Sequence, residues 1–433
     1  MNSFGRIFKV TIFGESHGES VGVNIDGCPA GLPLKIEDFL VDIERRKGGT
    51  QKGTTPRQES DLPIFKSGLF NGYTTGAPIT ILFENNNTRS SDYQKQRDFP
   101  RPGHADFVAH QKYGGFEDYR GGGHFSGRLT VALVAVGVIA KKLLKHIQIK
   151  STILSIGGEK DLEKGLQRAI DAKDSVGGIV ECTVEGLPLG LGEHFFDSVE
   201  SLISHAAFAI PAVKGIEFGT GFAAATMFGV EHNDAIIDAT GKTATNHAGG
   251  IVGGITNGND LVFRVAIKPT SSTPKTQQSL NWNNNTVESF SIKGRHDLCI
   301  ALRVPVVLEA ITAMVLVDLM LLDNKIARIL PKATPIYHIT TQESWDIALE
   351  KGFYEAASLA TEGFIHCSTA SQVKNTLERF FSQQSNVVIL QLQPDKLTHI
   401  VKYEIAPSLG EAFPHIYGTI NLDAVESVEP TNA

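Results

Sequence analysis

The amino-acid sequence predicts an α/β (α+β) protein built in two parts. Stretches with helical spacing alternate with strand-like stretches along the 433 residues, which is typical of a mixed fold. Glycine is unevenly distributed, because 39 of the 43 glycines precede residue 331 and four follow it. Charge changes at the same place: residues 331–433 hold six Lys/Arg and twelve Asp/Glu, which leaves the first 330 residues nearly neutral.

Two prolines mark the boundary between the parts. Pro331 and Pro335 lie where the composition changes, and proline interrupts both helices and central strands. We predict a first domain over residues 1–325, a linker over 326–335 and a small α+β domain over 336–433.

In the first part, one amphipathic helix is predicted at residues 35–47. Ile36, Phe39, Leu40 and Ile43 recur there at helical spacing. Asn71-Gly72 is typical of a tight turn between two strands. The other predicted elements are strands at 65–70, 78–83, 179–184, 213–218, 261–267 and 287–292 and a helix at 129–144.

The second part has its own pattern of short elements. Thr340 with Glu343, and Thr369 with Gln372, have the spacing of capping boxes that open helices. Strands are predicted at 336–339, 387–392 and 400–405.

Composition excludes several classes of protein. Neither part has the basic excess of a protein that follows a nucleic-acid backbone. The four cysteines are far apart and outline neither a disulfide framework nor a zinc site. The most apolar stretch, Ile300–Leu322, contains Arg303, Glu309 and Asp318, so it is predicted as a buried helix and no membrane partner is expected. No signal-peptide pattern is present at the N-terminus, and we expect a cytoplasmic location.

Four polar, glycine-flanked segments of the first part are candidates for chemistry. They cover residues 13–19, 101–106, 119–128 and 293–297, and each carries a histidine. Glycines let backbone N–H groups approach a ligand, and arginines offer forked donors to phosphate or carboxylate. A single histidine of this kind is more often structural than functional, but core packing does not explain four such segments.

Two other patterns are weaker. Gly219-Thr-Gly221-Phe-Ala-Ala224 matches a dinucleotide-binding fingerprint, although its acidic partner is too close and Gly229 interrupts the helix that it should open. His104, Asp106 and His110 are metal-ligand residue types at plausible spacing, but no companion cluster is evident and no metal is expected. No phosphate-binding G-x-x-x-x-G-K-[ST] loop occurs.

Six motifs in order make the first part recognisable. GESHGES (14–20), RPGHAD (101–106), YRGGG with a following S-x-R (119–128), TNHAGGI (245–251), KPTSS (268–272) and KGRHD (293–297) resemble chorismate synthase. The resemblance runs from about residue 2 to about residue 325.

This resemblance implies a β-α-β sandwich, a homotetramer and a defined reaction. Chorismate synthases convert 5-enolpyruvylshikimate 3-phosphate to chorismate and phosphate by a 1,4-anti elimination, in the pathway to the aromatic amino acids. They use reduced FMN without net oxidation, and some members reduce that flavin with NADPH.

The resemblance also implies roles for individual residues. His17 and His104 would be the acid/base pair, with Asp297 near flavin N5 assisting proton removal, and Arg46 and Lys52 match positions that contact a nicotinamide phosphate. Arg45, Arg57, Arg120 and Arg128 are the remaining cations for the substrate's carboxylates and phosphate. The residues implied for FMN are His124, Phe125, Ser126, Pro211, Ala212, Gly253, Lys268, Pro269, Thr270, Ser271, Ser272 and Arg295.

The chain departs from the family pattern at four positions. His124 and Phe125 stand where arginine and serine are common, Lys52 replaces an arginine, and Leu298 replaces a proline. These changes put local FMN contacts and an NADPH site in question more than the reaction.

The second part resembles a small, uncharacterised bacterial family whose fold is similar to ADP-ribosyltransferases. His338, His366, Ser368 and Glu404 lie near predicted strand ends and are candidates for a shared cleft; the alternative is that the histidines are structural. Two other functions stay open for the first part. One is a metal-dependent hydrolase built on His104, Asp106 and His110, and the other is a flavin- or nucleotide-binding module without catalysis.

Overall fold

The computed structural model divides the chain after Leu330, into a unit of residues 1–330 and a unit of residues 331–433. It describes residues 1–49, 52–55, 59–87, 98–292, 296–330, 333–406 and 410–431.

The first unit contains two antiparallel sheets. The first sheet consists of β1 (Ser3–Phe4), β2 (Lys9–Gly14), β3 (Ser20–Asp26), β4 (Ile64–Ser67) and β7 (Ile79–Glu84), in the order β1-β2-β3-β7-β4. Strands β5 (Leu69–Phe70) and β6 (Tyr73–Thr74) form a separate hairpin. In the second, of order β10-β13-β9-β8, the strands are β8 (Gln148–Ile156), β9 (Gly178–Glu185), β10 (Val213–Phe218) and β13 (Leu261–Ile267). Two further hairpins are β11 (Ile251–Val252) with β12 (Ile255–Thr256), and β14 (Gln277–Asn281) with β15 (Thr286–Phe290).

Two long helices, α3 (Thr130–Leu143) and α7 (Val304–Leu322), lie between the two sheets. The other helices of the first unit are α1 (Glu37–Arg46), α2 (Asp106–Tyr113), α4 (Leu162–Ala172), α5 (Val199–Ala207) and α6 (Gly229–His232). Helix α3 packs on β3 and β7 of the first sheet, while α7 packs on β8 and β9 of the second. The result is the β-α-β sandwich that was expected.

Alternating burial explains why the second sheet lies against helices. Along β13, Leu261, Phe263, Val265 and Ile267 are buried and the residues between them are half-buried. Because strand side chains alternate between faces, one face of this sheet supplies the core.

The two central helices cross closely because a glycine faces an alanine. A Cβ atom added at Gly137 of α3 would lie 2.3 Å from the Cβ of Ala310 in α7. Any larger side chain at Gly137 would therefore force the helices apart, and a packed interior tolerates such changes poorly.

The stretch Ile300–Leu322 is a core helix with a short 3₁₀ turn before it. It is long and apolar enough to cross a membrane, but 89% of its most apolar window is buried inside the protein. Its Asp318 accepts hydrogen bonds from the backbone N–H groups of Arg6, Ile7 and Phe8 at 2.7–2.8 Å. A buried carboxylate is thus satisfied by backbone donors that would otherwise be unpaired.

The second unit is an independent α+β arrangement. Its strands are β16 (Ile336–Thr341), β17 (Phe353–Tyr354), β18 (Ile365–His366), β19 (Ser368–Thr369), β20 (Val387–Leu392), β21 (Val401–Ile405), β22 (Ala412–Ile416), β23 (Ile420–Asn421) and β24 (Val425–Pro430). They form sheets of order β19-β16-β20-β24, β18-β22-β21 and β17-β23. Its helices are α8 (Gln342–Lys351), α9 (Ala357–Thr361) and α10 (Ala370–Thr376).

One of the two predicted caps is confirmed and the other is wrong by one residue. Thr369 and Gln372 form the capping box of α10. The cap of α8 is Thr341, whose side chain accepts a hydrogen bond from the Ser344 N–H at 3.2 Å. Thr340 is instead a buried residue of β16, because the strand continues two residues further than its apolar pattern suggested.

Candidate active site

A cavity of about 390 Å³ lies in the first unit, within the usual size range of small-molecule sites. It is lined by residues following α1, by parts of segments 101–105 and 121–128, by the 268–272 loop and by the start of α7. Segments far apart in sequence therefore converge on one place.

The cavity carries an excess of positive charge. Among the described residues, six Lys/Arg side chains and three carboxylates line it. A ligand with several negative charges would balance this excess. The cations are Arg46, Lys47, Arg101, Arg128, Lys268 and Arg303, and the carboxylates are Glu59, Asp61 and Asp297.

A turn of three glycines brings the two predicted acid/base histidines to one place. Gly121, Gly122 and Gly123 all have positive φ, a conformation that side chains disfavour. A Cβ added at Gly121 would lie 2.5 Å from the His17 ring, and one at Gly122 would lie 3.2 Å from the His104 ring. The two histidines therefore pack against consecutive glycines. His104 lines the cavity, and His17 is buried behind Gly121.

His104 is oriented by a carboxylate. Its Nδ1 lies 2.6 Å from Asp106 Oδ1. Nδ1 also lies 3.1 Å from Arg101 Nη2, but its contact with the carboxylate, which only accepts hydrogen bonds, is shorter. The proton is therefore assigned to Nδ1, and Nε2 is the nitrogen that can exchange one. Arg101 donates to both oxygens of Asp106, from Nε at 2.7 Å and from Nη2 at 2.8 Å. Burial alone would raise the pKa of Asp106, but hydrogen bonds from Arg101 and His104 lower it well below its usual range.

Asp297 is held at the cavity wall from two sides. Its Oδ1 accepts a hydrogen bond from the Thr55 N–H at 2.8 Å, and its Oδ2 pairs with Arg303. The Thr270 hydroxyl donates to the Asp297 backbone carbonyl at 2.7 Å. The carboxylate is thus fixed in direction and next to the cavity.

Asp61 joins two buried arginines. Its Oδ2 accepts from Arg46 at 3.2 Å, and its Oδ1 pairs with Arg128. Burial would raise the pKa of Asp61, but the two guanidinium groups lower it. Burial, together with repulsion from Arg303 and Arg128, lowers the pKa of Arg46 to about 9.

Most residues implied for FMN line the same cavity. Lys268 lies there with its Nζ 2.7 Å from Ser271 Oγ and 3.1 Å from the Gly103 carbonyl. Burial, followed by the neighbouring charge of Lys214, lowers the pKa of Lys268. The other implied residues that line the cavity are Phe125, Ser126, Pro211, Ala212, Thr270, Ser271 and Ser272.

The remaining FMN candidates lie elsewhere. His124 donates from Nδ1 to the Gly14 carbonyl, 2.9 Å away, and lines a smaller cavity of about 200 Å³ that shares Thr130 and Pro211 with the first. Gly253 lies in the β11–β12 turn, and Pro269 is not among the described lining residues. Arg295 falls outside the described residues.

Three of the cations implied for substrate or cofactor lie outside the lining as the structure describes it. Arg45 forms two 2.7 Å hydrogen bonds to the buried Glu309 of α7. Arg120 is bound through two donors to Asp118, at 2.8 Å each. Lys52 contacts Gln167 Oε1 at 2.9 Å, so it does not join Arg46 at the cavity. Arg57 falls outside the described residues.

Sequence reasoning missed Asp61, Arg101 and Arg303 as site residues. Arg101 stands inside the quoted RPGHAD motif, which could have marked it. Arg303 was counted only as a charge within an apolar stretch, and Asp61 lies in no quoted motif. Their role depends on partners that are distant in sequence, such as Arg128 for Asp61.

The two weaker patterns do not form sites in the described structure. Gly221 begins a six-residue 3₁₀ segment that follows a strand of an antiparallel sheet, whereas a dinucleotide site needs a parallel βαβ unit. His110 turns to Glu117, at 3.0 Å, and stacks on Trp282. The described residues contain no group of three or more His, Cys, Asp or Glu placed to hold a metal.

Comparison with known proteins identifies the family of the first unit. A family model described as chorismate synthase matches residues 8–321. A chorismate synthase of Chitinophaga pinensis is 74% identical over 330 residues, covering 76% of this chain and 99% of the relative. The chain belongs to the chorismate synthase family. A chorismate synthase of Dehalococcoides mccartyi is 44% identical, again covering 76% of this chain and 99% of the relative. A crystal structure of chorismate synthase, 28% identical, aligns with a TM-score of 0.57 and covers 74% of this chain and 93% of that chain.

The C-terminal unit is a separate domain fused to this chorismate synthase family member. A model described as a protein of unknown function, DUF952, matches residues 339–428. Protein CC0527 from Caulobacter crescentus is 32% identical in a crystal structure, with a TM-score of 0.21, covering 22% of this chain and 85% of that chain.

The four candidate residues of the C-terminal domain fall into separate environments. His338 is buried, with Nδ1 2.7 Å from the His366 carbonyl and Nε2 2.9 Å from the Tyr354 hydroxyl. Burial lowers the pKa of His338 to about 4, so the ring is neutral at pH 7. Ser368 Oγ contacts Thr376 Oγ1 at 3.0 Å.

His366 and Glu404 meet a residue that the sequence did not single out. The His415 ring lies 5.0 Å from the His366 ring, and its Nδ1 lies 2.7 Å from Glu404 Oε2. Phe364 stacks on His415 at 4.1 Å. The geometry supports a structural role for His338 and groups only His366 and Glu404, through His415.

Replacing Glu309 by Gln should destabilise the first unit in a pH-dependent way. Burial would raise the pKa of Glu309, but hydrogen bonds and charges of Arg45 and Lys141 lower it below 4.5. A carboxylate with a lowered folded pKa contributes stability above its unfolded pKa and loses it as pH falls through the folded value. We expect Glu309→Gln to cost about 2–4 kcal/mol at pH 7 and less at pH 4 and below.

Urea unfolding at a series of pH values measures this difference. Glu185→Gln, at the exposed end of β9, is the matched control and should change the free energy of unfolding little at any pH. A difference between wild type and Glu309→Gln that grew as pH fell would contradict the assignment.

Proposed function

We propose that this chain converts 5-enolpyruvylshikimate 3-phosphate to chorismate and phosphate by 1,4-anti elimination. The observation that carries this proposal is the cavity in which His104, Asp297 and six cations meet, with His17 behind the glycine turn. Family membership, at 74% identity over nearly the whole relative, supports the same reaction.

The charge of the cavity suits this substrate. Two carboxylates and a phosphate give it several negative charges, and the described lining has three more cations than carboxylates. Arginine is favoured for such groups because its planar fork donates two parallel hydrogen bonds. Arg128, implied for the substrate, and Arg101 both line the cavity and add to its positive charge.

The cavity also has the residues that reduced FMN needs. Phe125, Pro211 and Val304 offer apolar surface for a flat ring, while Lys268 and the Ser271 and Ser272 hydroxyls suit a phosphate. Among the described residues, the hydrogen-bond partners of Lys268 are a hydroxyl and two carbonyls, which do not compensate its positive charge. When bound, reduced flavin supplies electron density to the substrate and recovers it, so no net oxidation results.

Three side chains of this protein take part in proton transfer. His104 exchanges a proton through Nε2, because Asp106 holds the proton on Nδ1. His17, against the adjacent glycine, is the second member of the pair, one serving the leaving phosphate and the other the flavin. Asp297 assists removal of the ring proton, since its carboxylate is fixed at the cavity wall by Thr55 and Arg303.

We further infer a cytoplasmic homotetramer. Several large apolar side chains between residues 195 and 237 are exposed in the single chain, which favours burial against other copies. They include Phe195, Phe196, Phe222, Phe228, Val230 and Ile236.

Phosphate release should require reduced FMN. An anaerobic assay with 5-enolpyruvylshikimate 3-phosphate should give chorismate and phosphate with reduced FMN, none without flavin, and no net flavin oxidation. Turnover in the absence of flavin would refute this cofactor assignment.

His17→Ala and Asp297→Ala should each slow turnover about 10²-fold or more, as expected for lost acid/base groups. His194→Ala, at an exposed position, is the control and should keep the wild-type rate. Wild-type rates in the His17 and Asp297 variants, measured with saturating reduced FMN, would remove these residues from the mechanism.

A protein ending at residue 330 should retain the reaction. The Chitinophaga pinensis relative is matched over 99% of its length by 330 residues of this chain, so the C-terminal domain is an addition to the family's length. Light scattering and the phosphate-release assay on the full and truncated chains test this. The same number of chains per assembly and an equal rate are expected, whereas loss of either would assign the domain to assembly or regulation.

A further inference from the structure

Arg303 is a cavity cation with an unusual share of unused hydrogen-bond donors. It ends the 3₁₀ turn Ile300–Arg303 that precedes α7, and its side chain is 18% exposed. It lines the cavity and pairs through Nη2 with Asp297.

The other cavity arginines are largely occupied by protein acceptors. Arg46 donates from Nε to Thr130 at 3.0 Å, from Nη1 to Asp61, and from Nη2 to the Gly127 and Arg128 carbonyls. Of its five N–H groups, these contacts leave one.

Arg128 and Arg101 show the same occupation. Arg128 uses Nε on Asn85, Nη1 on Asp61 and Nη2 on the Glu84 carbonyl. Arg101 uses Nε and Nη2 on Asp106 and Nη1 on Ser272. These guanidinium groups mainly build the cavity wall.

Arg303 differs from these three arginines because most of its N–H donors have no partner among the described residues. Its Nη1 has no hydrogen bond to any residue that the structure describes, and its Nε is buried without a partner among them. A buried donor without an acceptor costs free energy, and native proteins rarely leave one unless a ligand or another group completes the site.

The surrounding charges point to an anion as the missing group. The charges of Arg128 and Arg303 both repel that of Arg46, and Asp61 and Asp297 are the carboxylates paired with these three arginines. Three guanidinium groups and two carboxylates leave one positive charge in a poorly solvated cluster. One oxyanion beside Arg303 would balance this charge and accept from Nη1.

We propose that Arg303 binds a carboxylate or phosphate oxyanion of a ligand in the cavity while Nη2 holds Asp297. The inference rests on the proposed function, because that function supplies the two ligands that carry such groups: the substrate and FMN. Arg303 thereby places the ligand's anionic group next to the carboxylate that assists removal of the ring proton.

Arg303→Lys and Arg303→Gln test the contact in the full chain. The lysine variant keeps a charge near Asp297 but loses the forked donors, and the glutamine variant loses both. Arg168→Gln, whose exposed side chain pairs with Glu159 on the surface, is the matched control. Thermal unfolding establishes that each variant is folded.

Two binding measurements identify the source of the oxyanion. If it belongs to the substrate, the Kd of 5-enolpyruvylshikimate 3-phosphate by calorimetry and its KM should rise about tenfold to a hundredfold, with FMN binding unchanged. If it is the FMN phosphate, the Kd of FMN should rise by a similar factor while the Kd of riboflavin, which lacks a phosphate, stays the same. Either result supports the proposal.

The proposal is overturned if both folded variants bind substrate and FMN within twofold of wild type. It is also overturned if kcat falls and its pH profile shifts while both Kd values are unchanged, because Arg303 would then act only on Asp297. Failure of the proposed function has a different result: the wild-type chain would release no phosphate with reduced FMN, whatever the Arg303 variants bind.

Discussion

The crossing of α3 and α7 is the packing constraint on which the site depends. Gly137 lets the two helices approach until its Cα hydrogen faces Ala310, and each helix covers one sheet of the sandwich. Both helices begin at the cavity, with Thr130 at the start of α3 and Val304 at the start of α7 among its lining. The helix separation therefore sets the distance between the glycine turn before α3 and the Asp297–Arg303 pair before α7. Since dense cores do not deform freely, a change at the crossing would be transmitted to the chemistry.

Near the two crossing helices, carboxylates fix the direction of the arginines without neutralising all of the positive charge. Asp61, Asp106 and Asp297 each hold an arginine in a fixed direction, and an excess of positive charge remains for the ligand. Preorganised charge of this kind stabilises developing negative charge without reorientation during the reaction. Arg45 shows the contrast, since Glu309 and Asp42 retain it within the helical layer.

The C-terminal domain differs in how its polar residues are arranged. Its buried polar residues satisfy one another, as in the contacts of His338 with Tyr354 and the His366 carbonyl. Its Phe364, His366, His415 and Glu404 group forms from strands β18, β21 and β22 and adjacent residues, which the topology brings together. The length of the family members that lack it agrees with an appended unit.

The sequence by itself determined the two-part division, the mixed fold, the family and most of the polar segments that meet at the cavity. These depend on local pattern and ordered motifs, which survive without knowledge of contacts. Only the tertiary structure decided which charges face the cavity. Arg45, Arg120 and Lys52 bind partners outside the described lining, whereas Asp61, Arg101 and Arg303 line the cavity. The N-cap of α8 is a smaller example of the same effect. Strand β16 pairs with β20 as far as Thr341, so the cap is Thr341 and not Thr340, which the local pattern predicted. The physical reason is the same throughout: whether a charged or polar side chain is free to act depends on its spatial partners, and those partners lie up to 264 residues away in the case of Arg45 and Glu309.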